Sequence, residues 1–340
     1  MKRVLLTGAS GFVGSHVLRH LLVNTDWEIV CPVTYTHKGM QDRIRSACDG
    51  ERNENYFNRV KVVRCDLTAP ITAVTAHEFG NIDYVLNVAS ESHVDRSIDT
   101  PTPFILNNVA LICHLLDWAR EYKPEKIIQI STDEVYGPAY DDYAHQEWID
   151  QHLPSNPYSA SKAAQEDIAF SYWRTYGIPL VITNTMNIIG QMQDPEKFVP
   201  MLVKKIYNGE TVTIHGSSDE SNIGSRYYLH ARNQADGLLY ILNNSNFCKY
   251  GDSLKPERFH IVGEKEVNNL EMAKMIAEIM GKPLKYEMVD FHKTRPGHDL
   301  RYALDGSKLA DAGWKAPIKF EESLETTVKW TLDNPQWMKI

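Results

Sequence analysis

Two groups of residues in this sequence have the side chains and the spacing that acid–base chemistry requires. Tyr158 and Lys162 lie four residues apart in a helical pattern, so one helix face would carry both. A lysine ammonium beside a phenol stabilises the phenolate, which can then act as a base near neutral pH.

Asp133 and Glu134 follow an apolar run and Thr132. Two adjacent carboxyl groups can address neighbouring substrate atoms, one removing a carbon-bound proton and the other protonating a leaving hydroxyl. The alternatives are a surface pair and a capped turn.

Three glycines near the start have the spacing of a dinucleotide-binding turn. Gly8, Gly11 and Gly14 lie between an apolar run and a helical pattern. Glycine permits a tight turn and lets the backbone approach a pyrophosphate, which then rests on the N-terminus of the helix. Because the triplet stands between a strand and a helix, the sequence predicts a nicotinamide dinucleotide cofactor.

The residues around the second and third apolar runs leave the choice between NAD and NADP open. No acidic residue follows the second run, where a carboxylate would accept the ribose 2′-hydroxyl of NAD. His37, Lys38 and Arg43 come next, and they would either contact a 2′-phosphate or simply solvate a loop. Asp66 follows the third run and would either meet the adenine edge or cap a helix.

Histidine and cysteine spacing gives no metal site. His16 and His20 lie one helical turn apart, but no third ligand accompanies them, so we expect two exposed helix residues. The five cysteines are scattered, and we expect small buried side chains in a reducing compartment: Cys31, Cys48, Cys65, Cys113 and Cys248.

Elements that alternate along the first half of the chain would position these residues. Short runs rich in Val and Ile predict strands over 4–6, 28–30, 60–64, 82–87, 127–130 and 180–182, and helical patterns cover 16–23, 103–122 and 159–176. This alternation predicts an α/β fold with a Rossmann-type doubly wound parallel sheet over residues 1–185. Residues 186–340 would form mainly a smaller mixed α/β substrate-binding lobe, with some segments returning to the sheet. The methionines of its amphipathic helix 270–280 would fill a core. Ligands of such a sheet bind at the carboxyl ends of the strands, where Thr132–Glu134 would stand.

Composition excludes two classes of partner. The 340 residues carry a net charge of −8, and nucleic-acid-binding proteins usually show the opposite balance. No apolar stretch approaches the roughly 20 residues that a membrane span needs. We therefore expect a cytoplasmic protein that binds neither nucleic acid nor membrane.

Motifs in a fixed order along nearly the whole chain carry a family resemblance; they cover residues 7–15, 91–98, 131–137, 157–162, 195–200 and 295–303. They are similar to those of the extended short-chain dehydrogenase/reductase family, most closely the dTDP-glucose 4,6-dehydratases. The Thr-Asp-Glu run and the Arg-Pro-Gly-His-Asp run are the most specific of these motifs.

This resemblance implies a lyase of deoxysugar biosynthesis with an internal NAD redox cycle. Tyr158 would take the proton of the sugar 4-hydroxyl, Lys162 would hold the charge of the tyrosine, and Thr132 would contact O4. The resulting 4-ketone acidifies the C5 hydrogen, which Glu134 would remove while Asp133 protonates the departing C6 hydroxyl. Hydride would then return to C6 and give a 4-keto-6-deoxy sugar.

The resemblance also implies the remaining residues of the site. Besides Tyr158 and Lys162, the cofactor would contact Gly8, Gly11, Phe12, Val13, Gly14, Asp66, Leu67, Ala89 and Asn107. The nucleotide sugar would contact Ser92, Asn187, Glu196, Lys197, Arg226, Arg295 and His298. A homodimer through helices 103–122 and 159–176 is expected. UDP-glucose as the substrate, a sugar-nucleotide 4-epimerase and a catalytically silent dinucleotide-binding protein stay open as alternatives.

Overall fold

The computed structural model of the chain describes residues 1–36, 38–49, 56–217, 220, 222–244, 254–290 and 299–338. Its strands, in chain order, are β1 (Arg3–Thr7), β2 (Glu28–Val33), β3 (Val60–Arg64), β4 (Tyr84–Asn87), β5 (Lys126–Thr132), β6 (Leu180–Thr185), β7 (Asn187–Ile189), β8 (Val212–His215), β9 (Ser225–His230), β10 (Glu257–Ile261), β11 (Glu266–Asn268) and β12 (Tyr286–Val289).

The α-helices are α1 (Phe12–Asn24), α2 (Gln41–Cys48), α3 (Ala73–Phe79), α4 (Val94–Asp99), α5 (Pro101–Tyr122), α6 (Pro157–Tyr176), α7 (Phe198–Asn208), α8 (Ala231–Asn243), α9 (Asn269–Met280), α10 (Ser307–Asp311) and α11 (Phe320–Asp333). Short 3₁₀ helices cover Phe57–Arg59, Asp133–Tyr136 and Pro335–Met338. Proline stands at the start of both α5 and α6, where its fixed φ favours the first helical turn.

Seven strands form one sheet in the order β10-β6-β5-β4-β1-β2-β3, and all of its pairings are parallel. The chain changes direction across the sheet between β1 and β4, so the carboxyl ends of these strands border a crevice that suits a dinucleotide. The predicted doubly wound α/β fold is confirmed.

Helices cover both faces of this sheet. On one face, α1 and α8 bury Leu18 and Leu238 against β1. On the other face of the sheet, α5 and α6 bury Leu115 and Trp173 against Leu5 of β1. Burying a leucine in such a core contributes roughly 2 kcal/mol, so the two layers hold the strand ends at fixed positions.

A second hydrophobic core lies under the smaller sheets, which are β11-β9-β7 and the pair β12-β8. It is built from α7, α9 and α11, and Met272 of α9 is fully buried in it, so core filling by this methionine is confirmed. β10 comes from the second half of the chain and pairs with β6 of the main sheet. The division of the chain at residues 185 and 186 stays a prediction.

None of the helices in the described residues combines the length and the apolar composition that a membrane span requires.

Candidate active site

The carboxyl end of β5 turns directly into the two carboxylates. Thr132 caps the 3₁₀ helix Asp133–Tyr136, because its hydroxyl accepts from Glu134 N at 3.3 Å and donates to Asp133 Oδ1 at 2.8 Å. Gly137 ends the helix with φ +76°, and a Cβ there would lie 2.4 Å from the Leu153 carbonyl oxygen. A glycine is therefore required to close this turn.

Helix α6 brings a base and an ammonium to the same place. Asn156 caps α6 through Ser159 N, and its amide Nδ2 also donates to Glu134 Oε2 at 3.2 Å, which joins the two elements. Tyr158 is 9% exposed and Lys162 is 4% exposed. They are buried side chains, so the alternative of a surface pair does not describe them.

The two carboxyl groups differ in their surroundings. Burial, followed by the charge of Glu134, raises the pKa of Asp133 to about 7, while the Thr132 hydrogen bond and Arg226 oppose the rise. Asp133 Oδ2 has no hydrogen-bond partner among the described residues. Burial also raises the pKa of Glu134, and the Asn156 hydrogen bond with the charges of Arg226 and Lys197 opposes it. Asp133 is therefore suited to hold a proton near neutral pH, while a hydrogen bond from Asn156 and the charges of Arg226 and Lys197 support the carboxylate form of Glu134.

The phenol and the ammonium are also displaced from their ordinary ionisation. Burial raises the pKa of Tyr158, the charge of Glu134 adds to the rise, and a hydrogen bond with Thr132 opposes it. Burial lowers the pKa of Lys162 to about 8, and Glu166 works in the opposite direction. Both groups lose water, so the phenolate and the ammonium each need a partner that stabilises their charge near neutral pH.

The glycine turn fits a pyrophosphate group. Gly8 has φ +71°, and a Cβ at Gly14 would lie 2.0 Å from the Gly8 carbonyl oxygen, so only glycine allows this close approach. Helix α1 follows with Gly11 as its N-cap, and no side chain caps its first turn. The free N–H groups of that turn are the donors that a pyrophosphate needs. Phe12 and Val13 open the helix.

The other residues predicted to contact the cofactor follow β3 and β4 or lie on α5. Asp66 accepts from the backbone and the hydroxyl of Thr68 at 2.9 and 2.7 Å, so its carboxylate shapes a turn, and the next residue, Leu67, is buried. Ala89 N donates to the Thr7 hydroxyl at 3.0 Å. Asn107 donates to the neighbouring Asn108 side chain at 3.1 Å.

The cations after β2 are engaged within the protein. Arg43 lies on α2 and is fully buried, and it donates to the carbonyl oxygens of Lys38 and Met192 and pairs with Asp194 at 3.2 Å. The expectation of a loop-solvating cation is wrong for Arg43, because these acceptors compensate the loss of water. Lys38 pairs with Glu196 at 3.2 Å. His37 lies outside the described residues.

The two histidines of α1 are not exposed, and that expectation is wrong. His16 is buried with Nε2 2.9 Å from the Gln191 carbonyl oxygen, and burial lowers its pKa to about 4. His20 is largely covered and lies 3.5 Å from Asp236 of α8. The segment after β7 covers His16, and α8 covers His20. Within the described residues, no group of three or more His, Cys, Asp or Glu side chains could hold a metal ion.

The predicted substrate residues are partly described. Arg226 donates to the carbonyl oxygens of Ser225, Asp299 and Leu300, so it organises backbone rather than forming a surface ion pair. Lys197 donates to the Ser92 carbonyl oxygen at 3.1 Å, and burial lowers its pKa. Asn187 begins β7 and is exposed. Arg295 and His298 lie outside the described residues.

Three residues of the site were not predicted from the sequence. Asn156 contacts Glu134, and Gln165 contacts Lys162 at 2.7 Å. Tyr302 lies under Arg226, 4.6 Å from the guanidinium carbon to the ring centroid, and the charge of Glu134 adds to the burial that raises its pKa. Tyr302 belongs to the motif 295–303, so its position in that motif was an available signal.

Comparison with known proteins gives one family over most of the chain. The model of the NAD dependent epimerase/dehydratase family matches residues 4–253. The dTDP-glucose 4,6-dehydratase 1 of Escherichia coli is 33% identical over 359 residues, covering 99% of this chain and 94% of that protein. A low-salt glycan biosynthesis protein of Haloferax volcanii is 33% identical over 333 residues, covering 98% and 99%.

Solved structures show the same similarity. A dTDP-glucose 4,6-dehydratase from Streptomyces venezuelae, crystallised with NAD bound, has a TM-score of 0.85 at 30% identity and covers 98% of both chains. A UDP-glucuronic acid 4-epimerase from Bacillus cereus has a TM-score of 0.83 at 23% identity, covering 98% of this chain and 99% of that one. At that identity the epimerase shares the fold alone.

Proposed function

Because the chain belongs to the NAD-dependent epimerase/dehydratase family, we propose that it is a dTDP-glucose 4,6-dehydratase, a lyase that forms dTDP-4-keto-6-deoxyglucose. The family assignment confirms the predicted resemblance, and NAD, named in the family description, agrees with the predicted cofactor. The Gly8–Gly14 turn and the uncapped start of α1 would hold its pyrophosphate.

One observation carries the proposal: two buried carboxyl groups with different hydrogen-bond partners lie beside a buried tyrosine. Asp133 has a pKa raised to about 7 and Glu134 is held by Asn156, while Tyr158 stands close enough for its ionisation to depend on both carboxylates. Elimination of water needs an acid and a base on neighbouring carbons, and this pair supplies both.

The chain's own groups then act in sequence. Tyr158, with Lys162 beside it, takes the proton of the sugar 4-hydroxyl, and Thr132 donates toward O4. Bound NAD supplies the hydride acceptor at C4 and the hydride donor at C6. The 4-ketone acidifies C5, Glu134 removes the C5 proton, and Asp133 protonates the C6 hydroxyl so that it leaves as water. When C6 is reduced, Glu134 returns a proton to C5, which completes the 4-keto-6-deoxy sugar.

Several further residues would bind the nucleotide sugar. Lys197 stands near Glu134, and Arg226 near both carboxylates, so each can bring a positive charge to a diphosphate at this edge of the sheet. Ser92, Asn187, Glu196, Arg295 and His298 complete the set that we propose. We further propose a cytoplasmic homodimer, supported by the scattered cysteines and by the faces of α5 and α6 discussed below.

The experiment is one incubation of the purified protein with dTDP-glucose, UDP-glucose and other nucleotide-glucoses. We expect loss of water by mass spectrometry with dTDP-glucose, and a product that develops a chromophore in alkali, without net consumption of nicotinamide. A 4-epimerase would give a product of unchanged mass, and UDP-glucose as the better substrate would correct the nucleobase. Binding without turnover of any nucleotide-glucose would contradict the proposal.

A further inference from the structure

The ammonium of Lys162 is held by a side chain that lies outside the six sequence motifs of the family resemblance. Lys162 Nζ donates to Gln165 Oε1 at 2.7 Å and to the Ile130 carbonyl oxygen of β5 at 2.7 Å. Gln165 lies one helical turn further along α6 and is fully buried. We propose that Gln165 is a positioning residue for Lys162, and that a directional chain of buried amides fixes the lysine charge on the face of α6 that also carries Tyr158.

The chain begins at the glycine turn and crosses the sheet. The Thr7 hydroxyl donates to Asn87 Oδ1, Asn87 Nδ2 donates to Gln129 Oε1, and Gln129 Nε2 donates to Gln165 Oε1, at 2.7, 2.7 and 3.3 Å. All four side chains are fully or almost fully buried. Each amide donates in the same direction, so the hydrogen bonds polarise one another toward Gln165.

The orientation of Gln165 is fixed at both ends. Its Oε1 accepts from Lys162 and Gln129, and its Nε2 donates to the Asn108 carbonyl oxygen of α5 at 2.8 Å. Asn108 Nδ2 donates to the Ser161 hydroxyl, which donates to the Tyr158 carbonyl oxygen, at 2.8 and 2.7 Å. The network therefore reaches the backbone of the tyrosine as well as the charge of the lysine.

The groups around Lys162 explain why a neutral acceptor matters there. Glu166 on α6 is the titratable group that acts on Lys162, whereas Asp133 and Glu134 on the turn after β5 act on Tyr158. From β1, β4, β5 and α5, the network presents neutral hydroxyls and amides. An ammonium buried among them keeps its proton only if hydrogen-bond acceptors replace water, and Gln165 Oε1 is one of two acceptors that the described residues provide.

Removal of this acceptor has a defined consequence. A hydrogen bond to a charged group contributes enough that its loss lowers a buried lysine pKa by about one unit. Less ammonium means less phenolate at Tyr158 at a given pH. The acid limb of sugar oxidation in Gln165→Met should therefore move upward by about one pH unit.

The test compares Gln165→Met with Gln165→Glu, which keeps an oxygen acceptor at Lys162, in the NAD-loaded protein. We measure the pH profile of transient cofactor reduction with dTDP-glucose in single turnover, and KM. In Gln165→Met, the acid limb of the profile should move to higher pH, with KM within about twofold of wild type. In Gln165→Glu, the acid limb should stay at or below the wild-type pH. Gln165→Asn, which withdraws the amide by one methylene, replaces Gln165→Met if the latter does not fold, and its limb should rise too.

Gln234→Met is the matched control, because Gln234 of α8 is also fully buried and neither of its amide atoms has a partner among the described residues. Its pH profile should equal that of wild type. Slower oxidation in Gln165→Met with an unmoved limb, or the same limb shift in Gln234→Met, would overturn the positioning role.

The inference rests on the proposed function for its kinetic readout, so a second readout separates the two. The ultraviolet difference titration of Tyr158, taken between each protein and its Tyr158→Phe counterpart, needs no substrate. If no nucleotide-glucose is dehydrated by wild type, the proposed function fails, while the titration still tests Gln165. An unchanged tyrosine titration in Gln165→Met would then overturn the inference by itself.

Discussion

Lys38 Nζ lies 3.2 Å from Glu196 Oε2, and this ion pair joins the segment after β2 to the segment before α7. The segment after β2 is also hydrogen-bonded to the glycine turn, since Met40 N donates to the Ser10 carbonyl oxygen at 2.8 Å. A cation near the cofactor turn is thereby already neutralised by a carboxylate. A 2′-phosphate at this position would have to compete with Glu196 for Lys38.

We therefore expect the protein to bind NAD more tightly than NADP. Glu196→Gln releases Lys38 and should reduce the ratio of NAD affinity to NADP affinity by about threefold. The change is small because a half-exposed ion pair contributes well under 1 kcal/mol. Lys38→Met should not reduce this ratio. Fluorescence titration of cofactor-free protein measures both affinities, and a ratio unchanged in Glu196→Gln would show that Lys38 does not face the 2′ position.

Substitutions of the two proposed bases, Tyr158 and Glu134, should separate oxidation at C4 from proton removal at C5. Tyr158→Phe removes the group that takes the 4-hydroxyl proton, so transient reduction of bound NAD should fall by at least about a hundredfold. Glu134→Gln should still permit that reduction but stop deuterium entry from solvent at C5. Absorbance of the reduced cofactor and mass spectrometry of the product measure these steps. Undiminished exchange in Glu134→Gln would contradict the role of Glu134.

The contact between Asn156 and Glu134 can be removed without removing the helix cap. Serine is as good an N-cap as asparagine, so Asn156→Ser should leave the melting temperature close to wild type, while Asn156→Ala should cost about 1 kcal/mol of stability. Because the Asn156 amide opposes the rise in the Glu134 pKa, Asn156→Ser should move the acid limb of C5 exchange to higher pH. An unmoved limb in Asn156→Ser would assign Asn156 to capping alone.

Local spacing was sufficient to predict the parts of the site that lie within one element or one turn. The Gly8–Gly14 turn, the Thr132–Glu134 turn and the Tyr158–Lys162 pair are each defined by neighbours a few residues apart. Alternation of apolar runs and helical patterns likewise predicted the parallel sheet, because strands buried on both faces are continuously apolar.

Residues whose environment comes from distant segments were not predictable in this way. Arg43 is buried because the Met192 carbonyl oxygen, 149 positions away, accepts from it. His16 is buried beside the Gln191 carbonyl oxygen, 175 positions away, which accepts from its Nε2. Gln165 has an unremarkable place in an amphipathic helix, and only the approach of β5 and α5 gives it partners.

An apolar face shared by α5 and α6 supports the proposed homodimer. On α5, Leu106 is 61% exposed, and the half-buried Val109 and Cys113 continue its face at helical spacing. On α6, Ala160 and Ala164 are half-buried small residues one turn apart. Two copies packed through these helices would cover both faces.

Light scattering should give twice the chain mass at micromolar concentration. Leu106→Glu should weaken the dimer by at least about tenfold, since it places a charge in an apolar contact. Leu254→Glu, at a leucine that is 75% exposed, is the matched control and should leave the dimer intact. A monomer in wild type, or equal effects of the two changes, would contradict this arrangement.

The raised pKa of Asp133 predicts how both catalysis and stability depend on pH. As the acid of the elimination, Asp133 must carry a proton, so water loss in single turnover should show a basic limb near pH 7, above which the rate falls by up to tenfold per pH unit. The folded-state pKa lies above the unfolded value of about 4, so this carboxyl group contributes stability below pH 4 that is lost as the pH rises through 7. Asp133→Asn should therefore be slow in elimination and should gain up to about 4 kcal/mol over wild type between pH 4 and pH 8. Urea unfolding at both pH values measures the gain, and the exposed Asp26→Asn should show none. An equal gain at pH 4 and pH 8 would mean that Asp133 ionises normally in the folded protein.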